Sequence, residues 1–165
     1  MKNKIFFTLL LLILLQSCNG TQYDTDYIIE KYNEEDFSCL KGAFVNIRGG
    51  KHDDLLCLLI SSTANIKCNP YIVKINYDSG EIVTINDTLP KRDCNGYFTN
   101  NQIKNFTKCF LKYKFQVLAV DLDGNVYINP GQQGHPTLLR KVPNSTPEDI
   151  KDFKLYKDKW YIRNE

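Results

Sequence analysis

Two histidines are the side chains best suited to acid–base or metal chemistry at neutral pH, because the pKa of free histidine lies near 6.5. They are His52, which is followed by Asp53 and Asp54, and His135. Each histidine stands in a loop with glycines nearby, so the loops could bring an imidazole and a carboxylate together. These four residues are therefore candidates for a metal or substrate site, and exposed loop histidines are the alternative interpretation.

Six cysteines offer thiol, disulfide or metal chemistry, and they are Cys18, Cys39, Cys57, Cys68, Cys94 and Cys109. No pair has the Cys-x-x-Cys spacing of a zinc site, and none stands in a recognisable nucleophile setting. We therefore predict no catalytic residue, no metal ion and no other cofactor. Cys57 lies within an apolar run and is expected to be buried. Cys68 and Cys94 have polar, turn-like surroundings and are the candidates for a disulfide, although the other pairings remain open.

A short acidic segment, Asp121-Leu122-Asp123-Gly124, resembles the start of a calcium-binding loop. A helix–loop–helix calcium site also needs glycine at the sixth position and an acid at the twelfth. Those positions hold Val126 and Gln132. The segment is therefore predicted to form the turn of a β-hairpin, for which Asp-Gly is a strong signal.

The N-terminal segment predicts where the protein is located. Lys2 and Lys4 precede an apolar run at residues 5–15, which only Thr8 interrupts. The run is too short for the ~20 residues of a membrane-spanning helix, and its basic start is typical of an export signal. We therefore assign residues 1–17 to a signal peptide and exclude them from the folded domain.

The end of this segment, Leu15-Gln16-Ser17-Cys18, resembles the lipobox of bacterial lipoproteins. In that class a peptidase cuts before the cysteine, whose thiol carries diacylglycerol. The resemblance implies that lipid on Cys18 holds the protein at a membrane of the bacterial cell envelope, on the periplasmic or surface face. Each buried methylene contributes about 0.8 kcal/mol, so two or three acyl chains suffice for anchoring. Cleavage after Gly20, which would release a soluble secreted protein, is the alternative.

The rest of the chain is long enough for one domain and carries no formal net charge. Without residues 1–17, the 165-residue chain keeps 148 residues. Lys2 and Lys4 account for two of the 21 basic residues, which leaves 19 basic against 19 acidic residues. We expect a polar tether at residues 18–25 and a single domain at residues 26–165. This charge balance argues against nucleic acid as a partner.

Hydrophobic periodicity predicts an α+β fold, with a mostly antiparallel sheet built from hairpins. Hairpin turns are expected at residues 78–80, 121–124 and 157–159, and Trp160 in the last strand is expected to dock on the core. One principal amphipathic helix is predicted at about residues 99–114, starting with a capping box at Thr99. Short helices are expected within residues 26–36 and 146–152, whereas residues 86–96 are expected to form a loop.

The function that this pattern favours is a non-enzymatic lipoprotein domain that binds a protein or a small ligand through its loops. An immunity-type lipoprotein that neutralises an exported toxin would fit the size and the neutral charge. A small thiol- or metal-dependent envelope hydrolase that uses His52 or His135 is an alternative. A structural subunit of an envelope complex is a third, which an exposed aromatic patch would favour.

Overall fold

One antiparallel sheet of nine strands organises the protein in a computed structural model that describes residues 24–49, 54–131 and 134–164. The strands are β1 (Ala43–Ile47), β2 (Leu55–Ser62), β3 (Tyr71–Asn76), β4 (Ile82–Asn86), β5 (Val117–Val120), β6 (Val126–Asn129), β7 (Leu138–Arg140), β8 (Phe153–Lys157) and β9 (Trp160–Arg163). Their order across the sheet is β4-β3-β2-β1-β5-β6-β7-β9-β8, and each neighbouring pair is antiparallel.

Three α-helices accompany the sheet within these residues, so the prediction of an α+β fold with a mostly antiparallel sheet is confirmed. They are α1 (Thr25–Tyr32), α2 (Thr88–Cys94) and α3 (Asn100–Phe110). Asp24 caps α1, because its carboxylate accepts hydrogen bonds from two backbone N–H groups of the first turn. The three predicted hairpins are also present, as the pairs β3–β4, β5–β6 and β8–β9.

Helix α3 begins at the predicted capping box but ends earlier than the sequence indicates. Thr99 Oγ1 accepts a hydrogen bond from the N–H of Gln102, whose side chain in turn accepts from the N–H of Thr99. The helix ends at Phe110, about four residues before the predicted end. Beyond it, Tyr113 N–H bonds to the carbonyl three residues back, which tightens the turn and directs the Tyr113 ring inward.

Residues 86–96, which were expected to form a loop, contain helix α2, so that prediction is wrong. Pro90 is tolerated because it lies in the first turn, where its missing N–H has no partner to lose. Asn95 adopts a left-handed conformation, with φ of 56°, and ends the helix. The segment 146–152 provides the opposite case, because only a short 3₁₀ turn, Ile150–Asp152, forms there.

Helices α1 and α3 pack on one face of the sheet and enclose the hydrophobic core. Alternate strand residues point into this core, and Trp160 is fully buried there, as predicted. The buried members of the cluster include Val45, Ile60, Val73, Leu118, Ile128, Trp160, Ile29, Ile103, Phe106 and Phe110. The other strand residues face the opposite side of the sheet, which carries no α-helix within the described residues.

The first and last described elements are joined by polar contacts. Trp160 Nε1 donates to Asn33 Oδ1 at 2.9 Å, and Tyr156 OH donates to Asp26 at 3.1 Å. Arg140 Nη1 lies 2.9 Å from each of three carbonyl oxygens at and just after the end of α1, and those oxygens belong to Tyr32, Asn33 and Glu35. Helix α1 is therefore held by strands β7, β8 and β9.

Candidate ligand-binding groove

The floor of the candidate site is a row of side chains that crosses four adjacent strands. Ser61, Phe44, Ala119 and Tyr127 lie directly opposite one another in the registers of β2, β1, β5 and β6. They share the face that the helices leave open, because strand side chains alternate between faces. Loop residues on either side form the walls of a cleft, and this row forms its floor. The cleft has a volume of about 760 Å³.

A second row lies two residues further along the same strands. Leu59, Asn46 and Val117 are opposite one another, and they line an adjoining cleft of about 470 Å³. Phe44 and His135 line both clefts, so the two form one continuous groove. Each of the two volumes is within the range typical of ligand sites.

Two buried polar atoms beside the groove have no hydrogen-bond partner among the described residues. They are Asn46 Oδ1 in the second row and Thr63 Oγ1 in the loop after β2. An unpaired buried polar atom costs about 1–3 kcal/mol, so each of these two atoms destabilises the fold beside the groove. Such unsatisfied atoms are rare in folded proteins and require an explanation.

One wall of the groove is a hydrogen-bonded set of polar side chains. Tyr127 OH donates to Asp149 Oδ1 at 3.1 Å, and Arg163 Nη2 lies 3.9 Å from the other Asp149 oxygen. Burial, followed by the nearby Asp149 charge, raises the pKa of Tyr127 well above its usual value of 10. The phenol is therefore neutral at physiological pH and donates a hydrogen bond, so its position in the floor is fixed.

Comparison with protein-family models, with curated proteins and with solved structures finds no match to this chain.

The groove includes one of the four loop residues selected from the sequence. His135 is exposed at its edge, and its backbone carbonyl accepts a hydrogen bond from Asn129 Nδ2 at 2.8 Å. Asp54 lies at the turn before β2, with φ of 59°, and is not among the groove residues. His52 and Asp53 lie outside the described residues, as does Cys18.

The structure places four cysteines in two disulfides. Cys68, in the loop after β2, is bonded to Cys94 at the end of α2, with the Cα atoms 6.0 Å apart. Cys39 is bonded to Cys109 of α3, with the Cα atoms 6.3 Å apart. Cys57 is a free thiol in β2 and is half-buried rather than fully buried. The disulfides therefore fix α2 and α3 to segments that lie beside strands β1, β2 and β3.

The described residues also bear on metal binding and on insertion into a membrane. Within residues 24–49, 54–131 and 134–164, no group of three metal-binding side chains is close enough to hold an ion. In the same described residues, no helix has both the length and the apolar character needed to cross a bilayer.

The sequence does not reveal the groove, because the groove residues follow no motif. Phe44, Ser61, Ala119 and Tyr127 are ordinary strand residues that become neighbours only through strand pairing. The pairing of β1 with β5 joins Phe44 to Ala119, which are far apart in the chain. The alternating pattern of each strand does indicate which residues share a face, but it does not indicate which strands are adjacent.

Proposed function

We propose that this chain is a lipid-anchored protein of the bacterial cell envelope whose folded domain binds a ligand or a protein partner without catalysing a reaction. The anchor is lipid on Cys18, following the resemblance of Leu15-Gln16-Ser17-Cys18 to a lipobox. The binding site is the groove floored by the Phe44 row. An immunity-type role, in which the domain neutralises an exported toxin, fits this arrangement.

The observation that carries the binding role is the groove on the face of the sheet opposite helices α1 and α3. A half-buried aromatic ring, Phe44, lies at the centre of a groove with apolar and hydrogen-bonding groups, a composition typical of binding sites. The scaffold beneath it is rigid, because disulfides and the core fix the opposite face. We propose α3 as the principal amphipathic helix of this scaffold, since it contributes five buried residues whereas α1 contributes two.

The position of helix α1 supports anchoring through Cys18. Asp24, where the described chain begins, is six positions after Cys18. A chain of that length spans at most about 20 Å, so lipid on Cys18 would hold the domain close to the membrane surface. The contacts of α1 with β7, β8 and β9 would then keep the rest of the domain attached to the anchored N-terminal segment.

Metabolic labelling with an alkyne analogue of palmitate tests the anchor. Wild-type protein should carry the label and sediment with membranes, whereas Cys18→Ala should lose the label and its membrane association. Cys57→Ala is the matched control, because Cys57 is a free thiol within the fold, and it should remain labelled. An intact mass that corresponds to an unmodified chain beginning at Thr21 would show instead that the protein is secreted after cleavage at Gly20.

The hydrolase alternative predicts a different result. A histidine-dependent enzyme would turn over ester or amide substrates, and His135→Ala or His52→Ala would abolish that turnover. We expect the wild-type protein to hydrolyse these substrates no faster than the two variants do. Hydrolysis that depends on either histidine would refute the binding role and leave the anchor unaffected.

A further inference from the structure

The charged side chains around the groove leave a local excess of negative charge. Arg163 is already engaged, because Nε donates to the Pro136 carbonyl at 2.7 Å and Nη1 and Nη2 lie 3.7 and 3.9 Å from Asp152 and Asp149. Asp121 is also engaged, since its carboxylate accepts hydrogen bonds within the β5–β6 turn, including two from Asn125. Neither side chain is therefore free to pair with a ligand.

Two carboxylates remain available at the groove. Asp123, in the β5–β6 turn, and Glu148, in the segment before β8, are exposed and line the groove. Their side chains form no ion pair or hydrogen bond within the described part of the chain. In the first cleft no described lysine or arginine side chain is free to balance them, because Arg163 is paired, and the unpaired Arg48 lines only the second cleft.

The rim of the groove is apolar as well as acidic. Ile66 is 83 % exposed and Leu122 is 59 % exposed, although both are large hydrophobic residues. They belong to different loops, after β2 and after β5, and both border the same groove. Exposed apolar side chains beside a half-buried aromatic floor indicate a surface that a partner covers.

We propose that this groove binds a cationic, partly apolar polypeptide segment, an inference that rests on the proposed binding function. Apolar side chains of the segment lie on Phe44 between Ile66 and Leu122. Lysine or arginine side chains of the segment pair with Asp123 and Glu148. Complementary charge would also steer the segment toward the groove and discriminate against acidic partners.

The size and the charge of the groove favour a polypeptide over other partners. Four strands set about 4.8 Å apart make the floor row roughly 14 Å long, a length that about four extended residues cover. Phosphate-bearing partners, such as nucleic acids and anionic lipid headgroups, would be repelled by the unpaired carboxylates.

The test measures binding of three short fluorescein-labelled peptides by fluorescence anisotropy. The probes are Gly-Lys-Leu-Lys-Phe-Lys-Gly, its counterpart with Glu in place of Lys, and its counterpart with Ser in place of Leu and Phe. The protein used is the full chain after removal of its signal peptide. If it carries lipid it is held on phosphatidylcholine nanodiscs, and if it is secreted without lipid it is measured in buffer. We expect the first probe to bind at least about tenfold more tightly than the other two, and its affinity to fall as salt rises.

Matched variants locate the site. Asp123→Lys combined with Glu148→Lys should weaken binding of the first probe about tenfold, because both substitutions reverse an exposed charge at the groove. Asp78→Lys combined with Glu81→Lys makes the same charge change at a separate cavity beside the β3–β4 turn, and should change binding less than about twofold. Ile66→Ser should weaken binding, whereas Val83→Ser on the edge strand β4 should not.

The possible results separate this inference from the proposed function. Preferential binding of the acidic or the serine probe at the groove would overturn the cationic, apolar partner and preserve a binding domain. Equal loss of affinity in the groove variants and the control variants would overturn the site. Flotation of the nanodiscs measures separately how much protein is attached to lipid, so loss of the anchor cannot be mistaken for loss of peptide binding.

Discussion

Arg140 holds the end of helix α1 with a single guanidinium. Its Nη1 contacts three backbone carbonyls at 2.9 Å, and the guanidinium carbon lies 4.9 Å from the centre of the Phe37 ring. Carbonyls at the end of a helix lack partners within the helix, so a side-chain donor there is stabilising. Burial lowers the pKa of Arg140, but a guanidinium stays protonated in proteins.

Replacement of Arg140 tests this contribution. Arg140→Met keeps the apolar stem but removes the donors, and we expect the free energy of unfolding to fall by about 2 kcal/mol. Arg92→Met is the control, because Arg92 is an exposed arginine that pairs with the adjacent Asp93, and it should cost less than about 0.5 kcal/mol. Urea denaturation measures both values, and equal losses would show that Arg140 has no special role.

Three tyrosines give the protein a predictable response to alkaline pH. Burial raises the pKa of Tyr97 to about 12, and burial is also the main cause of the raised pKa values of Tyr113 and Tyr127. Their stabilising effect is fully present below about pH 10, where an unfolded tyrosine is protonated. Above that pH the unfolded state releases protons that the folded state retains, so the free energy of unfolding falls as pH rises.

Replacement of Tyr127 isolates one part of this response. We expect the urea midpoint of the wild type to fall as the pH rises from about 10 toward 12, and the fall to be smaller in Tyr127→Phe, which has one fewer phenol to titrate. Absorbance near 295 nm should show correspondingly late ionisation of one tyrosine in the wild type. Lysines also titrate in this range but are the same in both proteins. Identical pH dependence in the two proteins would contradict the prediction.

At the scale of elements, sequence patterns predict the helices and turns that are stabilised by contacts between residues close in the chain. Thr99 and Gln102 cap α3 through contacts within one turn, and the three hairpins form around short turns, so the sequence predicts these features. Helix α2 was missed because Pro90, Asn95 and Gly96 indicate a turn when considered alone. Burial of Pro90 and the disulfide at Cys94 stabilise this helix, and both depend on distant parts of the chain.

The two disulfides should stabilise the elements that they join to different extents. Cys68–Cys94 closes a separation of 26 residues, and Cys39–Cys109 closes one of 70 residues. In the chain-entropy account, a disulfide that closes a longer loop removes more conformational entropy from the unfolded state. Replacing Cys39 and Cys109 by Ala should therefore lower the free energy of unfolding by about 4 kcal/mol, and replacing Cys68 and Cys94 by Ala should lower it by about 3 kcal/mol. Urea denaturation measures both losses, with Cys57→Ala as the control. A larger loss for the shorter loop would contradict this account.

At the scale of the whole molecule, the groove depends on strand order rather than on any single segment. The order β2-β1-β5-β6 brings Ser61, Phe44, Ala119 and Tyr127 into one row, and the central β1–β5 pair joins distant parts of the chain. Alternation predicts that these residues point away from the core, which the structure shows. Their assembly into a site follows from long-range pairing, which a single sequence does not reveal.

The link between the first and last elements predicts that the molecule unfolds as one unit. Trp160 is the only tryptophan, and it is fully buried where β9 meets Asn33 after α1. Its fluorescence therefore reports loss of the contact between the two ends of the described chain, while far-ultraviolet circular dichroism reports loss of the whole sheet. If α1 and the sheet unfold together, both signals should give the same urea midpoint, as two-state unfolding requires.

Asn33→Ala tests this coupling, because it removes the partner of the buried indole N–H. An unpaired buried donor costs about 1–3 kcal/mol, so both midpoints should shift to lower urea by the same amount. Asn100→Ala, at an exposed position of α3, is the control and should shift neither midpoint appreciably. A fluorescence transition that precedes the loss of circular dichroism, in the wild type or in Asn33→Ala, would show that α1 detaches before the sheet unfolds.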